Sequence, residues 1–166
     1  MSHRHSFAPI SNSDARVLIL GSMPGNVSLE KNEYYALPQN AFWKIMGELV
    51  GAGLSRPYEE RVSILKSSRI ALWDVLASCE RKSSLDADIR KGTEIGNDFE
   101  TFFKQHLHIK HVFFNGAKAE QSFKKFVIGK QKLPPLTFHR LPSTSPAHAG
   151  KSYTDKLLAW RAVISG

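Results

Sequence analysis

Short apolar runs alternate along this chain with segments whose apolar residues recur at helical spacing. Four runs have the length and the β-branched or aromatic content of buried strands, at residues 16–20, 70–76, 109–114 and 136–141. Helical patterns lie between and after them, at 41–50, 57–66, 97–106, 117–128 and from 152 onward. Strands that alternate with helices are typical of a parallel sheet covered on both faces. We therefore expect an α/β fold, a three-layer αβα sandwich around a mostly parallel four-stranded sheet.

The pattern shows no internal repeat, low-complexity tract or linker, so residues 1–166 are predicted to form a single domain. The segment from Ser78 to Gly96 is the least regular and is predicted to be a long functional loop. No apolar stretch reaches the roughly 18 residues that span a bilayer. The first nine residues lack the hydrophobic segment of a signal peptide. We expect a cytoplasmic protein with no membrane partner.

Composition changes this picture mainly through charge. Lys and Arg number 23 against 15 Asp and Glu, which gives a formal net charge of +8. A basic surface favours polyanions, nucleic acid first, although charge alone leaves the partner open. The single cysteine, Cys79, excludes an internal disulfide framework and agrees with a reducing compartment.

Unusual residues collect in the loops that follow the predicted strands, where ligands bind in sheets of this kind. Gly21 and Gly25 permit close approach of the backbone to a ligand, or a tight turn alone. Tyr34 and Tyr35 offer flat rings for stacking on a base, or for packing at the rim. Asn40 is either a helix cap or a carboxamide that orients a water molecule.

Two later loops suit nucleic acid. The Asn115 carboxamide matches the edge of a purine or pyrimidine, or it begins an Asn-Gly turn. The hydroxyls of residues 143–145 ahead of Lys151 suit a phosphodiester, or form a plain Ser/Pro loop. Lys118 lies on the helix after Asn115, where it meets either phosphate or solvent. His148 is a general acid, a phosphate donor or a surface side chain.

The usual charged catalytic groupings are missing from the sequence. The histidines are scattered and lack clustered carboxylates or cysteines, so we expect neither a metal nor another cofactor. No GxSxG motif appears. Asp74, Asp86 and Asp88 are the main carboxylates near the loop ends, and the last two fit a capped or solvated turn.

Five segments taken in order resemble the uracil-DNA glycosylase superfamily, and within it the hypoxanthine (deoxyinosine)-DNA glycosylase branch. They are GSMPG at 21–25, YYALPQNAFW at 34–43, ALWDVLASCER at 71–81 with SLDADI at 84–89, FFNGAKA at 113–119, and LPSTSPAHA at 141–149. The resemblance spans residues 17–160. It implies a monofunctional DNA glycosylase that acts by base flipping and water attack at C1′, and so initiates base excision repair.

The resemblance also implies where the catalytic residue lies. The superfamily's first motif usually carries an Asn or Asp that activates water, and Ser22 falls at that position here. Its last motif begins with a catalytic His in some branches, and Leu141 falls there. The hypoxanthine branch instead uses the Asn of its PxN-FW segment, which corresponds to Asn40.

The remaining roles follow from the same resemblance. The base pocket comprises Gly21, the backbone amides of Ser22 and Met23, a sandwich of Tyr35 and Phe42, and Asn115 at the base edge. The DNA-gripping residues are Ser143, Thr144, Ser145, Pro146, Ala147, His148 and Lys118. The implied partner is DNA containing deaminated bases, hypoxanthine first and uracil or xanthine next, bound by a monomer. A non-catalytic nucleic-acid-binding protein on this scaffold and a nucleoside or nucleotide hydrolase remain open alternatives.

Overall fold

The computed structural model of the chain describes residues 3–148 and 150–165. Its strands are β1 (His3–His5), β2 (Val17–Gly21), β3 (Ile70–Asp74), β4 (Leu76–Glu80), β5 (Ile95–Gly96), β6 (His111–Asn115) and β7 (Thr137–Leu141). Its helices are α1 (Asn26–Lys31), α2 (Phe42–Val50), α3 (Tyr58–Ser67), α4 (Phe99–Gln105), α5 (Ala117–Phe126), α6 (Tyr153–Trp160) and α7 (Ala162–Ser165). Four positions of the predicted domain lie outside the described residues, namely Met1, Ser2, Ala149 and Gly166.

The main sheet contains the four predicted strands in the order β3-β2-β6-β7. All three ladders are parallel, which confirms the expected α/β class. Gly21 pairs with Asp74, and Asn115 pairs with Leu141, so the carboxyl ends of the strands meet at one edge. The sheet therefore brings the loops that follow it together.

Helices cover both faces of this sheet, which confirms the three-layer sandwich. Leu18 and Leu20 of β2 belong to one core cluster with residues of α4 and α5. Val17 and Ile19 belong to the opposite cluster with residues of α2, α3, α6 and α7. This division follows from the alternation of side chains along a strand.

A second, antiparallel sheet in the order β1-β4-β5 was not predicted. The apolar run at 70–76 is two strands rather than one, because the chain leaves the main sheet after Asp74. Val75 N donates to the Gly21 carbonyl at 2.8 Å, and β4 then pairs with β1. The segment from Ser78 to Gly96 is consequently more regular than predicted: it contains the end of β4, the short 3-10 turn Asp86–Asp88 and β5.

Two predicted helix starts are confirmed. Asp98 accepts a hydrogen bond from Thr101 N at 3.0 Å, and Ser152 accepts one from Asp155 N at 3.1 Å. The third differs by one position: Ala41 is the N-cap of α2, while the preceding Asn40 Oδ1 accepts from Phe42 N at 2.9 Å. Asn40 thus satisfies a free amide of the first turn from just outside the cap.

Within the described part of the chain, no helix is both long and apolar enough to span a bilayer.

Candidate active site

The strand-end loops converge on a hydrogen-bond network centred on Asn115. Its Nδ2 donates to Tyr35 Oη at 3.1 Å and to Thr144 Oγ1 at 2.9 Å, while its Oδ1 accepts from Thr144 N at 2.9 Å. These bonds join the end of β6 to the segment before α2 and to the loop after β7. Both amide protons of Asn115 are used, so it contacts a base edge either by accepting with the second lone pair of Oδ1 or by exchanging one of the Nδ2 bonds. Its base-contact role remains a prediction.

Thr144 faces inward, toward Asn115. It is 1% exposed, and both its hydroxyl and its backbone amide bond Asn115. Its carbonyl accepts from Ala41 N at 3.0 Å, which places the loop beside half-buried Asn40. The residue holds the Asn40 segment and Asn115 together, and the predicted DNA contact of its side chain remains a prediction.

Tyr35 lies over the strand ends with its ring stacked on Phe42. The ring centroids are 4.2 Å apart at an interplanar angle of 24°, and Phe42 is 0% exposed. The two rings are in contact, so a base can enter between them only if they separate, and the predicted Tyr35–Phe42 sandwich remains a prediction. Phe42 supports Tyr35 from beneath, and the backbone of Tyr35 has a positive φ of 53°, which is uncommon for an aromatic residue.

Tyr34 is a core residue. Its side chain is buried, its hydroxyl donates to the Ala8 carbonyl at 2.8 Å, and its own carbonyl accepts from Trp43 Nε1 at 2.7 Å. The structure therefore favours the packing interpretation for Tyr34 and leaves Tyr35 as the aromatic residue at the site.

Gly21 is the point of closest approach at the sheet edge. A Cβ placed there would lie 2.6 Å from Asp74 Oδ1 and 2.8 Å from Tyr35 Oη. The groups that approach Gly21 in this structure are thus a carboxyl and a phenol. Any larger residue would displace one of them.

Ser22 is tied to a carboxylate from a distant part of the chain. Its Oγ donates to Asp86 Oδ1 at 2.6 Å, across 64 positions of sequence. The 3-10 turn Asp86–Asp88 carries this carboxylate back to the strand ends. Sequence reasoning noted Asp86 but could not place it, because no local pattern records a contact of this range.

Arg81 is a buried cation behind the same loop. It is 1% exposed, and its Nη2 donates to the Pro24 carbonyl. Its Nε and Nη1 have no hydrogen-bond partner within residues 3–148 and 150–165. Burial lowers the pKa of Arg81, while the charges of Asp86 and Asp74 oppose that shift.

Asp74 ends β3 as a buried carboxyl next to Gly21. Burial raises the pKa of Asp74 to about 7, the charge of Asp86 adds to this shift, and Arg81 opposes it. The site therefore contains one buried carboxyl whose pKa lies well above that of an exposed aspartate.

Met23 is buried in the first core cluster, together with Leu20 and Trp73. Its side chain fixes the turn after β2. This leaves its backbone amide as the group relevant to the predicted base pocket.

The loop after β7 presents an exposed tip at Pro146, Ala147 and His148. The hydroxyls of Ser143 and Ser145 each cap an amide two residues further on, at 3.1 and 3.2 Å. These hydroxyls shape the turn, which is the ordinary local role of such residues. The DNA-gripping role of this tip remains a prediction.

Lys156 of α6 supports this tip from within, and sequence reasoning missed it. Its buried Nζ donates to the His148 carbonyl at 2.9 Å and to the Ser145 carbonyl at 3.5 Å. Burial lowers the pKa of Lys156. A lysine on a short amphipathic helix looks like any solvated charge in the sequence, so no signal identified it.

Lys118 pairs with Glu94 rather than standing free. The Nζ–Oε2 distance is 3.3 Å, and the Glu94 side chain is almost fully buried. Lys118 also lines a surface hollow with Lys91, Gln121 and Lys125. Its predicted phosphate contact competes with this ion pair and remains a prediction.

Among the described residues, no group of three or more His, Cys, Asp or Glu side chains is arranged to hold a metal ion. A second surface hollow lies on α3, lined by Arg56, Glu59, Glu60, Ser63 and Ile64, away from the strand-end loops.

Comparison with known proteins identifies the family. The profile of the uracil DNA glycosylase superfamily matches residues 8–164. The hypoxanthine DNA glycosylase of Methanosarcina barkeri is 38% identical over 117 residues, 70% of this chain and 73% of that protein. The protein of the same name from Methanosarcina acetivorans is 36% identical over the same shares.

A solved structure gives the same result. The solution NMR structure of a candidate uracil DNA glycosylase from Methanosarcina acetivorans superposes with a TM-score of 0.78 at 29% identity, covering 97% of this chain and 98% of that one. The chain therefore belongs to the uracil DNA glycosylase superfamily and is a DNA glycosylase.

Proposed function

We propose that this enzyme is a monofunctional DNA glycosylase that removes hypoxanthine from DNA and so begins base excision repair. One observation carries the proposal: the Asn40 segment, Tyr35, Asn115 and the loop after β7 are joined by hydrogen bonds at the carboxyl ends of the parallel strands. Two relatives named hypoxanthine DNA glycosylases support the choice of lesion.

DNA binding begins with charge. The net charge of +8 attracts the phosphate backbone, and the exposed tip at Pro146, Ala147 and His148 grips it beside the lesion. Extruding the base costs a few kcal/mol, least for a poorly paired base, and this favours deaminated bases.

The extruded base then lies against Tyr35 at the strand ends. The backbone amides of Ser22 and Met23 donate to it and stabilise the negative charge that develops on the leaving base. The Asn115 carboxamide contacts the base edge through the second lone pair of Oδ1, or through Nδ2 after giving up a bond to Tyr35 or Thr144.

Asn40 places the attacking water below C1′ of an oxocarbenium-like sugar. Its Oδ1 accepts from Phe42 N with one lone pair, and the second lone pair and the amide protons remain to hold water. A carboxamide is not a useful base, so positioning and electrostatic stabilisation supply most of the rate enhancement. The segments 21–25, 34–43 and 113–116 carry no lysine, so water rather than a Schiff base completes the reaction.

We also propose the secondary substrates, the oligomeric state and the cellular location of the enzyme. Uracil and xanthine are secondary substrates, because each shares the lactam edge of hypoxanthine. The enzyme acts as a monomer and as a single domain, supported by the two core clusters on opposite faces of one sheet. A cytoplasmic location is supported by the single buried thiol, Cys79.

Labelled duplexes bearing one inosine, uracil or xanthine, followed by alkaline cleavage of abasic sites, test the proposal. We expect strand scission at inosine above that at the other two. DNA binding without scission at any lesion would instead indicate a non-catalytic binder. Release of base from free nucleosides would indicate a nucleoside hydrolase.

A further inference from the structure

The Asp74 side chain is a buried carboxyl without a complete set of partners. It is 3% exposed, and Oδ2 has no hydrogen-bond partner in the part of the chain that the structure describes. Its backbone is fixed, since it pairs with Gly21 and its carbonyl accepts from Asn97 Nδ2 at 2.8 Å. Burying an unpaired carboxyl is costly, and native proteins rarely tolerate it without a purpose.

This carboxyl lies at the centre of the strand-end edge. A Cβ on Gly21 would lie 2.6 Å from Asp74 Oδ1 and 2.8 Å from Tyr35 Oη, which is closer than these atoms could approach a real side chain. The missing side chain at Gly21 therefore allows the carboxyl and the phenol to converge beside the turn that begins the predicted base pocket.

The neighbouring polar side chains are already engaged. Ser22 donates to Asp86, and Asn115 bonds Tyr35 and Thr144. Asp74 differs from them because its enclosed Oδ2 has no hydrogen-bond partner among the described residues, and rotation of the carboxyl exchanges Oδ2 with Oδ1, the oxygen that faces Gly21. A ligand that brings an N–H donor to this edge would satisfy it.

We propose that the Asp74 carboxylate is a specificity-determining group that accepts the lactam N–H of the extruded base. The proposal rests on the glycosylase function proposed above and adds the group that recognises the base. Hypoxanthine, xanthine and uracil each carry an N–H flanked by a carbonyl. Adenine, from which hypoxanthine arises by deamination, instead has a lone pair at N1, which a carboxylate repels.

The energetics favour this assignment. A hydrogen bond to an ionised acceptor is about twice as strong as a neutral one, and a site built to receive an N–H strongly rejects an analogue that lacks it. Burial keeps the pKa of Asp74 at about 7 in the free protein, and a bound N–H donor favours the charged form. Guanine shares the lactam, so Asp74 separates lactam bases from adenine.

Two substitutions test the proposal in single-turnover assays at pH 8, above the pKa of Asp74, because a protonated carboxyl could donate to N1 of adenine. The substrates are duplexes with one deoxyinosine or one deoxyadenosine. Asp74→Leu removes the acceptor, so excision of hypoxanthine falls at least about 100-fold. Asp74→Asn keeps a neutral acceptor but can also donate to N1 of adenine. Its hypoxanthine rate falls about tenfold and its inosine-to-adenine rate ratio narrows.

The matched control is Asp14→Asn, which makes the same charge change at an exposed carboxylate paired with Arg69. It leaves both rates within twofold. Affinity for a duplex with a tetrahydrofuran abasic analogue, which has no base to contact, stays within about threefold of the native value in both Asp74 variants. A general disturbance of the site would lower that affinity as well.

A folded Asp74→Leu protein that excises hypoxanthine within threefold of the native rate overturns the assignment. If that variant does not fold, an unchanged rate for Asp74→Asn has the same meaning. Native protein that releases no hypoxanthine would overturn the glycosylase proposal itself, so the two failures are distinguishable.

Discussion

Ser22 Oγ and Asp86 Oδ1 lie 2.6 Å apart although 64 positions separate them in sequence. The bond fastens the 3-10 turn Asp86–Asp88 to the first residue after β2. It also brings a second carboxylate close to Asp74, whose pKa rises in part because of the Asp86 charge. One hydrogen bond thus fixes a loop and sets part of the electrostatics of the site.

A double-mutant cycle with Ser22→Ala and Asp86→Asn should measure this bond. A hydrogen bond to a charged group is worth about 1.5–3 kcal/mol, so each single change should lower the free energy of unfolding by about that amount. The combined variant should lose much less than the sum. Urea denaturation provides the measurement.

Asp88→Asn is the control for that cycle, because Asp88 lies two residues further on the same turn and bonds Ser83 instead. It should show no coupling to Ser22→Ala. Strict additivity of Ser22→Ala and Asp86→Asn would mean that the bond does not fasten the loop.

Gly21→Ala should damage the site by crowding. The added Cβ would lie 2.6 Å from Asp74 Oδ1 and 2.8 Å from Tyr35 Oη, so both groups must move. We expect a loss of about 1–3 kcal/mol in unfolding free energy and a fall of tenfold or more in excision rate. Gly150→Ala is the matched control, since a Cβ there meets nothing within 4 Å. Native stability in Gly21→Ala would show that the site is looser than described.

The raised pKa of Asp74 predicts a pH-dependent effect of Asp74→Asn on stability. The folded pKa of about 7 exceeds the unfolded value of about 3.9, so the folded protein binds the extra proton. Its stabilising effect is complete below about pH 4 and is lost as pH rises through 7. Asp86, Arg81, Tyr34 and Tyr35 face the same carboxyl and are unchanged in the variant.

Asp74→Asn cannot lose that proton. Its unfolding free energy relative to the native protein should therefore increase between pH 5 and pH 8, by on the order of 2–4 kcal/mol. Urea denaturation at the two pH values measures the change. A difference that stays constant with pH would mean that Asp74 is ionised throughout this range.

Much of the fold could be predicted from the sequence because the patterns that specify its strands and helices are local. Each main-sheet strand is a short apolar run, and the residues that cap α4 and α6 precede their helices directly. The antiparallel sheet was missed because the apolar run at 70–76 passes from β3 into the first residue of β4 without a turn signal. The break between them depends on backbone bonds from Val75 and Leu76 to residues 21–22.

The site was only partly predictable for the same reason. Its segments could be named, since strand order brings their loops to one edge. The pairing of Ser22 with Asp86 and the support of His148 by Lys156 are contacts between distant segments, which no spacing records. Tyr35 stacks on Phe42 with a positive φ, a backbone conformation that the sequence around an aromatic residue does not predict.

Lys156→Met should weaken DNA binding through the loop tip it supports. Without the bonds from Nζ to the carbonyls of Ser145 and His148, the tip loses its fixed shape. The Kd for an inosine duplex should rise about three- to tenfold, while the rate at saturation stays within twofold. Fluorescence anisotropy at fixed salt provides the measurement, and Lys130→Met, an exposed lysine elsewhere, is the charge-matched control. Equal effects of both variants would indicate that only net charge matters.

The central prediction is that Asn40 is the catalytic residue, and the single-turnover excision rates of Asn40 variants test it most directly. Asn40→Ala removes both the carboxamide and the acceptor for Phe42 N, whereas Asn40→Ser keeps a hydroxyl acceptor for that amide. We predict that both variants lose hypoxanthine excision by at least about 100-fold. Their affinity for the inosine duplex should stay within a few fold, and Asn40→Ser should be close to native stability. Near-native excision by either folded variant would contradict the prediction.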